Sequence, residues 1–304
     1  MIKKFEVEKD FHNTRFDRWF KNKVLDIPQG LIEKIIRKNQ AKVNGKKTKS
    51  SYRVQENDII EIFNIDKVKK KEKNLVTQYI PSNTEKTKYD DFIIENNENF
   101  IVINKPSGIA VQSGTKSFKN VVDTLRETKY FEDSKPFIVH RLDKETSGIL
   151  IVAKTREYAQ LFTSLFRIRK IHKTYLAVVY GIVSEEIKIL EGDLVVYEKD
   201  RKIVQNAISY IKILKSNSEY SLLELRPITG RKHQLRKQLY NIGNSIIGDD
   251  KYYVKRGKDF IKSKNLMLHA YEIKFMINNV KYNFRAGFNK EFKDFIDKKK
   301  LNIF

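Results

Sequence analysis

No single hydrophobic core can run through this chain, because residues 64 to 88 offer no face to bury. Lys67-Val-Lys-Lys-Lys-Glu-Lys73 is a run of charge, and Pro81-Ser-Asn-Thr-Glu-Lys-Thr-Lys88 is polar without periodicity. Segments of that composition cannot offset the entropy of ordering. The chain is therefore expected to fold as two modules, residues 1–63 and 89–304, joined by a mobile linker at 64–88. A chain of 304 residues is long enough for a core in each.

The charge is spread over both modules. The chain carries 61 Lys and Arg against 38 Asp and Glu, a net +23. Residues 1–80 hold 20 of the former and 11 of the latter, so more than half of the surplus lies beyond them. A long basic surface favours an extended polyanion, nucleic acid before an anionic membrane. No apolar run approaches the roughly 18 residues of a membrane span. Met1-Ile-Lys-Lys-Phe-Glu6 lacks an apolar signal core, so a cytoplasmic protein without a membrane partner is expected. There is no Cys, which excludes disulfides, thiol nucleophiles and Cys-based zinc sites. Histidines occur at 12, 140, 172, 233 and 269, and none is spaced as a metal ligand, so no metal is expected.

In the first module, Phe16, Trp19 and Phe20 fall on one face of a helix spanning Arg15 to Lys23. Leu31, Ile32, Ile35 and Ile36 repeat the spacing through Lys38, after Pro28 in a first turn. Asn44-Gly45 marks a hairpin. Ser51–Val54 and Asp58–Ile62 read as short strands around a turn at Glu56. Arg37, Lys38, Lys42, Lys46 and Lys47 gather where helix meets sheet. Two helices followed by a small basic sheet suit RNA slightly better than a merely solvated face. Arg15-Phe-Asp-Arg-Trp-Phe20, Ile35-Ile-Arg-Lys-Asn-Gln-Ala-Lys-Val-Asn-Gly45 and Val54-Gln-Glu-Asn-Asp58 resemble the αL-motif RNA-binding domain, named for a small-subunit ribosomal protein. That likeness implies RNA contacts from Arg15, Arg37, Lys38, Lys42 and Lys46.

The second module alternates apolar runs with turns. Strands are expected at 99–104, 149–153, 173–181, 207–214, 220–225, 265–275 and 281–285. Helices are expected at 120–129, 156–166 (with Thr155 as N-cap), up to about Tyr240, and at 290–299. Many short strands and few helices give an α+β fold with a mixed, largely antiparallel sheet.

Its chemistry centres on His140-Arg-Leu-Asp-Lys-Glu-Thr-Ser-Gly148, a polar stretch between the apolar runs Phe137–Val139 and Ile149–Ala153. Loops held by rigid strands are favoured places for function. Asp143 can act there as a nucleophile or general base, or merely sit in a salt-bridged surface turn. Tyr175 on an aromatic strand, and Arg231 with Arg236 at a loop–helix junction, are the other candidates. The chain has no GxSxG elbow and no Walker A loop. Glycoside hydrolysis would need a second acid across the bond; Glu145 is only two residues on and Asp249 is remote in sequence, which leaves that reading open but poorly supported. What remains is one carboxylate, one phenol and one or two guanidinium groups on a basic protein.

The same stretch resembles the signature of the RluA-type pseudouridine synthases. Val102-Ile-Asn-Lys-Pro-Ser-Gly108, Lys173-Thr-Tyr-Leu-Ala-Val-Val-Tyr-Gly181, Pro227-Ile-Thr-Gly-Arg-Lys-His-Gln-Leu-Arg236, Ile247-Gly-Asp249 and Leu266-Met-Leu-His-Ala270 agree in order. The resemblance spans about residues 92 to 288 and is closest to the RluC branch, which modifies large-subunit ribosomal RNA. It implies isomerisation of uridine to pseudouridine on a flipped-out nucleotide, without metal or cofactor. Nothing in the sequence demands more than a monomer. Asp143 would be the covalent catalyst, Tyr175 would pack on the base and take the C5 proton, and Arg236 would pair with Asp143. Arg141 would fill the gap left by the base. His140, Arg231 and Lys105 would help bind substrate. Lys232, Tyr253, Gln112 and the run after Arg236 depart from the family pattern and bear on pocket shape and RNA choice. The competing readings are a non-catalytic RNA-binding or ribosome-assembly factor on the same fold, and a synthase acting on tRNA.

Overall fold

A computed structural model of the protein describes residues 2–65, 81–113, 119–132, 134–198, 201–253 and 265–302. It divides into two compact units, one up to Gln78 and one from Tyr79. The charge run at 67–73, and the part of the 111–116 loop beyond Ser113, lie outside the described residues.

The first unit opens with a strand the sequence did not announce, β1 (Ile2–Glu6). After β2 (Thr14–Arg15) come α1 (Phe16–Lys23) and α2 (Gln29–Arg37). Then follow β3 (Ala41–Val43), β4 (Lys46–Lys47), β5 (Arg53–Val54) and β6 (Ile59–Phe63). The main sheet runs β1-β6-β3-β4, all antiparallel. β5 pairs with β2 and not with β6. Phe16, Trp19 and Phe20 of α1 and Ile32, Ile35 and Ile36 of α2 are buried against Ala41, Val43, Ile60 and Ile62. The hairpin at Asn44-Gly45 has both residues at positive φ, the conformation a two-residue type I′ turn needs. The buried Asp58 carboxylate accepts from Asn44 Nδ2, Gln55 N–H and Tyr52 O–H, which pins two turns to each other.

The expected linker is corrected at its C-terminal end. Ser82 Oγ accepts from Glu85 N–H at 3.3 Å, while Glu85 Oε2 accepts from Ser82 N–H at 3.0 Å. This capping box starts α3 (Asn83–Lys88), and the stretch belongs to the second unit. The Ser-x-x-Glu spacing was legible, but the helix is too short to show periodicity.

The second unit continues with β7 (Ile93–Asn96), β8 (Phe100–Lys105), α4 (Val121–Arg126), β9 (Phe137–Ile138) and β10 (Ser147–Ala153). α5 (Arg156–Arg167) then leads to β11 (His172–Tyr180), β12 (Ile189–Glu198), β13 (Arg201–Ser216) and β14 (Tyr220–Pro227). α6 (Gln234–Asn241), β15 (Leu268–Ile277), β16 (Val280–Arg285) and α7 (Lys290–Lys298) complete it. The sheet order is β12-β13-β14-β11-β15-β10-β8-β7, with β16 beside β15 and β9 beside β10. Pairing is antiparallel except between β10 and β15, so the fold is α+β with a mixed, largely antiparallel sheet.

The strands at the centre alternate faces, and both faces are covered. Ile101, Ile103, Leu150 and Val152 pack with Val121 and Leu125 of α4. Phe100, Val102, Ile149 and Ile151 pack with Phe162 of α5 and Phe275 of β15. That is why β8 and β10 read as continuous apolar runs. A third cluster joins β11 and β14 to Leu235 and Leu239 of α6 and to Phe292 and Ile296 of α7.

Candidate active site

The parallel junction of β10 and β15 positions the loop that carries Asp143. Ser147 lies opposite His269, and Gly148 opposite Ala270. Gly148 has φ +106°, and a Cβ there would stand 2.2 Å from the Ala270 carbonyl oxygen. Only glycine allows this approach. His269 is buried, accepts from Ser147 Oγ–H at Nδ1 (2.9 Å) and donates from Nε2 to the Ala286 carbonyl (3.2 Å). Burial pushes its pKa down to about 4, so the imidazole is neutral and can serve both bonds.

Lys105, at the end of β8, is fully buried beneath the same loop. Its Nζ donates to the carbonyls of Pro106, Ile109 and Lys144 at 2.8, 2.9 and 3.1 Å. Gly108 N–H also donates to Lys144 O, and Ser107 Oγ–H to Glu145 O. The expectation that Lys105 contacts substrate is therefore corrected: its ammonium is consumed by backbone carbonyls and sealed from solvent. Burial pushes its pKa down to about 7, against the opposing pull of Glu145 and Asp143.

Asp143 stands in a cavity of about 700 Å³ in the second unit. Arg236, 1% exposed, reaches it from α6. Its Nε and Nη2 each donate to an Asp249 oxygen at 2.6 Å, and Nη2 also to Asp250 at 3.1 Å. Its Nη1 is buried without a hydrogen-bond partner and lies 3.9 Å from Asp143 Oδ2 and 4.0 Å from Glu145. Arg236 thus has two roles where one was expected: Asp249 holds it and it faces Asp143. Arg231 donates from Nε to the Asn206 carbonyl and lines the cavity without approaching Asp143.

His233 is a neighbour of Asp143 for which no part in the chemistry was expected. It begins α6 at φ +54°, and its Nε2 is 3.7 Å from Asp143 Oδ1. Its Nδ1 meets the Tyr252 hydroxyl at 3.0 Å. Burial lowers its pKa, with Asp143 opposing and Arg236, Lys251 and Lys232 reinforcing. Gln234 fixes the loop before α6. Its side chain accepts from Thr229 Oγ–H and Arg231 N–H and donates to Ser209 Oγ and Ile208 O.

Tyr175 lies on β11 across from Leu225 and lines the cavity. Burial first, and the Asp143 carboxylate second, raise its pKa. The phenol is therefore held in its protonated form. His140 lines the cavity but is occupied: Nε2 accepts from Ile151 N–H at 2.8 Å and the ring packs 4.8 Å from Phe166. Burial, then Lys173, push its pKa down to about 3. Arg141 is exposed at the cavity. In the first unit Arg37, Lys38 and Lys46 are exposed. Lys42 is half-buried with Nζ over the Phe63 ring, and Arg15 holds Asp17 with both fork nitrogens. Among the described residues no cluster of three or more His, Asp or Glu could hold a metal ion, and no helix is long and apolar enough to cross a membrane.

A family model described as RNA pseudouridylate synthase matches residues 99–241. The ribosomal large subunit pseudouridine synthase C of Rickettsia conorii is 35% identical over 273 residues, 86% of this chain and 88% of that one. The chain belongs to the RNA pseudouridylate synthase family. The likeness to synthase C extends to the Haemophilus influenzae protein, 31% identical across 98% of this chain and 95% of that one. Among solved structures, human RNA pseudouridylate synthase domain containing 4 shares the fold. It has a TM-score of 0.62 and 22% identity, covering 71% of this chain and 96% of that one. The synthase is thus an RluA-family, RluC-like enzyme, as its motifs suggested, and the reading as a non-catalytic factor is not favoured.

Proposed function

We propose that the synthase isomerises uridines of large-subunit ribosomal RNA by covalent catalysis from Asp143. The observation that carries this is the Arg236 Nη1, buried and unpartnered, facing a carboxylate at the cavity. A guanidinium so placed holds a carboxylate charged and oriented, and can follow negative charge as it forms. The target uridine leaves its stack to enter, at a cost of a few kcal/mol. Asp143 attacks the ribose C1′ or uracil C6. The N1–C1′ bond breaks, the base turns, and a C5–C1′ bond forms as the bond to Asp143 is released. C5 loses a proton and N1 gains one, so the reaction balances without an added reagent. Tyr175 packs against the base as a neutral phenol. Arg141 is placed to enter the space the base vacates.

The first unit is proposed to anchor phosphates through Arg37, Lys38 and Lys46, with residues 1–63 as a separate αL-type module. Phosphate contacts position and base contacts specify, so this module sets register more than sequence. Removing residues 1–63 is expected to weaken RNA binding and leave the remainder folded.

Base-resolved pseudouridine mapping of ribosomal and transfer RNA decides the reading, in cells whose only copy carries Asp143→Asn. Loss of one to a few large-subunit sites supports it. Loss of tRNA sites alone replaces the substrate, and persistence of every site removes the catalytic role of Asp143.

A further inference from the structure

The cavity has a second wall that the chemistry above does not use. Arg167 closes α5, Arg169 follows it, and Lys173 lies at the start of β11; all three line the cavity, as does the Thr229–Arg236 segment. Arg167 and Arg169 are exposed and Lys173 is half-buried. None of the three has an acidic partner among the described residues, although the same unit pairs Arg126, Lys129, Arg226, Lys274, Arg285 and Lys299 with carboxylates. Unpaired cations gathered at a concave surface raise the local concentration of anions.

The backbone adds an independent observation. Lys170 N–H donates to Leu165 O at 2.9 Å and Arg169 N–H to Phe166 O at 3.2 Å. This places Arg169 in the left-handed conformation, φ +59°, just past the helix end. Gly or Asn usually fills that position. Among the described residues ten non-glycine residues have positive φ, and seven of them are Asn. The other three are Arg169, His233 and Lys300. Arg169 and His233 line this one cavity, from the end of α5 and the start of α6. Lys300 follows α7 in the same way and lines no part of it, so it is the internal comparison for a basic residue serving only the helix end.

We propose that Arg167, Arg169 and Lys173 form a phosphodiester subsite that grips the RNA backbone beside the flipped uridine. The side facing Asp143 receives the nucleoside, and the α5 side holds a flanking phosphate against the pull of the neighbouring stack. Strand and base would then be anchored at separate points, which keeps C1′ over the Asp143 carboxylate. The proposal rests on the reading that the cavity takes a uridine from an RNA strand.

The test uses the full-length protein and large-subunit ribosomal RNA transcripts. Arg167→Ala/Arg169→Ala is expected to raise KM roughly tenfold with kcat within about twofold, the pattern of lost uniform binding. The slope of log K against log salt should shrink by about one to two. Lys300→Ala should leave both unchanged. Arg169→Gly separates the roles: it relieves the backbone and removes the cation. A KM raised part of the way to that of the double variant, with undiminished thermal stability, supports the subsite. Wild-type KM in Arg169→Gly and in the double variant overturns it. A methylphosphonate at the phosphate flanking the target uridine should weaken wild-type binding and add little in the double variant. Equal penalties in both proteins also overturn it. These readings are made by binding on the Asp143→Asn background too, so that loss of the subsite is distinguishable from absence of catalysis.

Discussion

Asp249 fixes Arg236 and thereby aims it at Asp143. Two 2.6 Å hydrogen bonds occupy Nε and Nη2, and Nη1 is left 3.9 Å from the Asp143 carboxylate. A paired fork of this kind sets direction as well as charge. Both partners are buried, so neither can be removed without stranding the other.

Asp249→Ala is accordingly expected to cost about 3–5 kcal/mol of stability, the range for breaking a buried pair. Arg236→Lys keeps the charge and loses the fork. It should unfold closer to wild type but turn over about 100-fold more slowly, as expected for a misplacement near 1 Å. Thermal melts and single-turnover rates measure the two effects. A lysine variant with wild-type rate would show that orientation by Asp249 is irrelevant.

Lys105 makes a different prediction, because it supports the loop and touches no substrate. Lys105→Met preserves most of the volume and leaves the Pro106 and Ile109 carbonyls without their donor, while Lys144 O keeps only Gly108 N–H. Buried groups left unsatisfied cost about 1–3 kcal/mol each, so the melting temperature should fall. Turnover should drop while RNA affinity stays near wild type, since no contact is lost. A variant with weakened affinity and normal turnover would return Lys105 to the substrate-binding set.

Much of this was legible in the residues themselves. The runs at 100–103 and 149–153 announced central strands because helices cover both faces, so successive positions are apolar. Asp143 and Arg236 could be singled out as the acid and the cation of one site. Their geometry could not be read. Asp249 is far from Asp143 along the chain, and only the α6 packing brings it to Arg236. Lys105 looks like any other lysine until the strand before it proves buried. β1 and β12 were missed because each is an edge strand with charged or polar residues facing water. Left-handed Arg169 carries no sequence signal, since arginine does not favour that conformation as Asn does, and a lone histidine at 233 is too weak a signal to place one.

Acid should unsettle the fold through two imidazoles, His269 buried and His140 half-buried. His269 and His140 titrate near 4 and 3 in the folded protein against an ordinary 6.5. Below about pH 6.5 the unfolded chain therefore binds more protons than the folded one. The stability these residues contribute is complete above about 6.5 and is lost as pH falls through about 4 for His269 and about 3 for His140. Each adds a slope of up to about 1.4 kcal/mol per pH unit. Urea midpoints between pH 7 and 4.5 should fall less steeply in His269→Asn than in wild type. An identical slope in the two proteins would mean that His269 does not titrate in this way.

Gly148 offers the most local test of how the sheet places Asp143. It sits five residues after Asp143, in the one parallel pairing of the sheet, with φ +106°. In Gly148→Ala the new methyl group would meet backbone on β15 at 2.2 Å, and backbone cannot yield as a side-chain tip can. The pairing of Ser147 with His269 must then open, taking with it the hydrogen bond between them. Strain at a special φ combined with a broken ladder belongs to the severe class of substitutions, above about 3 kcal/mol. The variant should melt well below wild type, and any folded fraction should carry a displaced Asp143 and have little turnover. Gly108 is the matching control: it also has positive φ, at +83°, but a Cβ there meets nothing within 4 Å. Gly108→Ala should lose only the backbone preference, about 1 kcal/mol, and keep most of its rate. Similar losses at the two positions would show that the close approach of β10 to β15 does not place the loop.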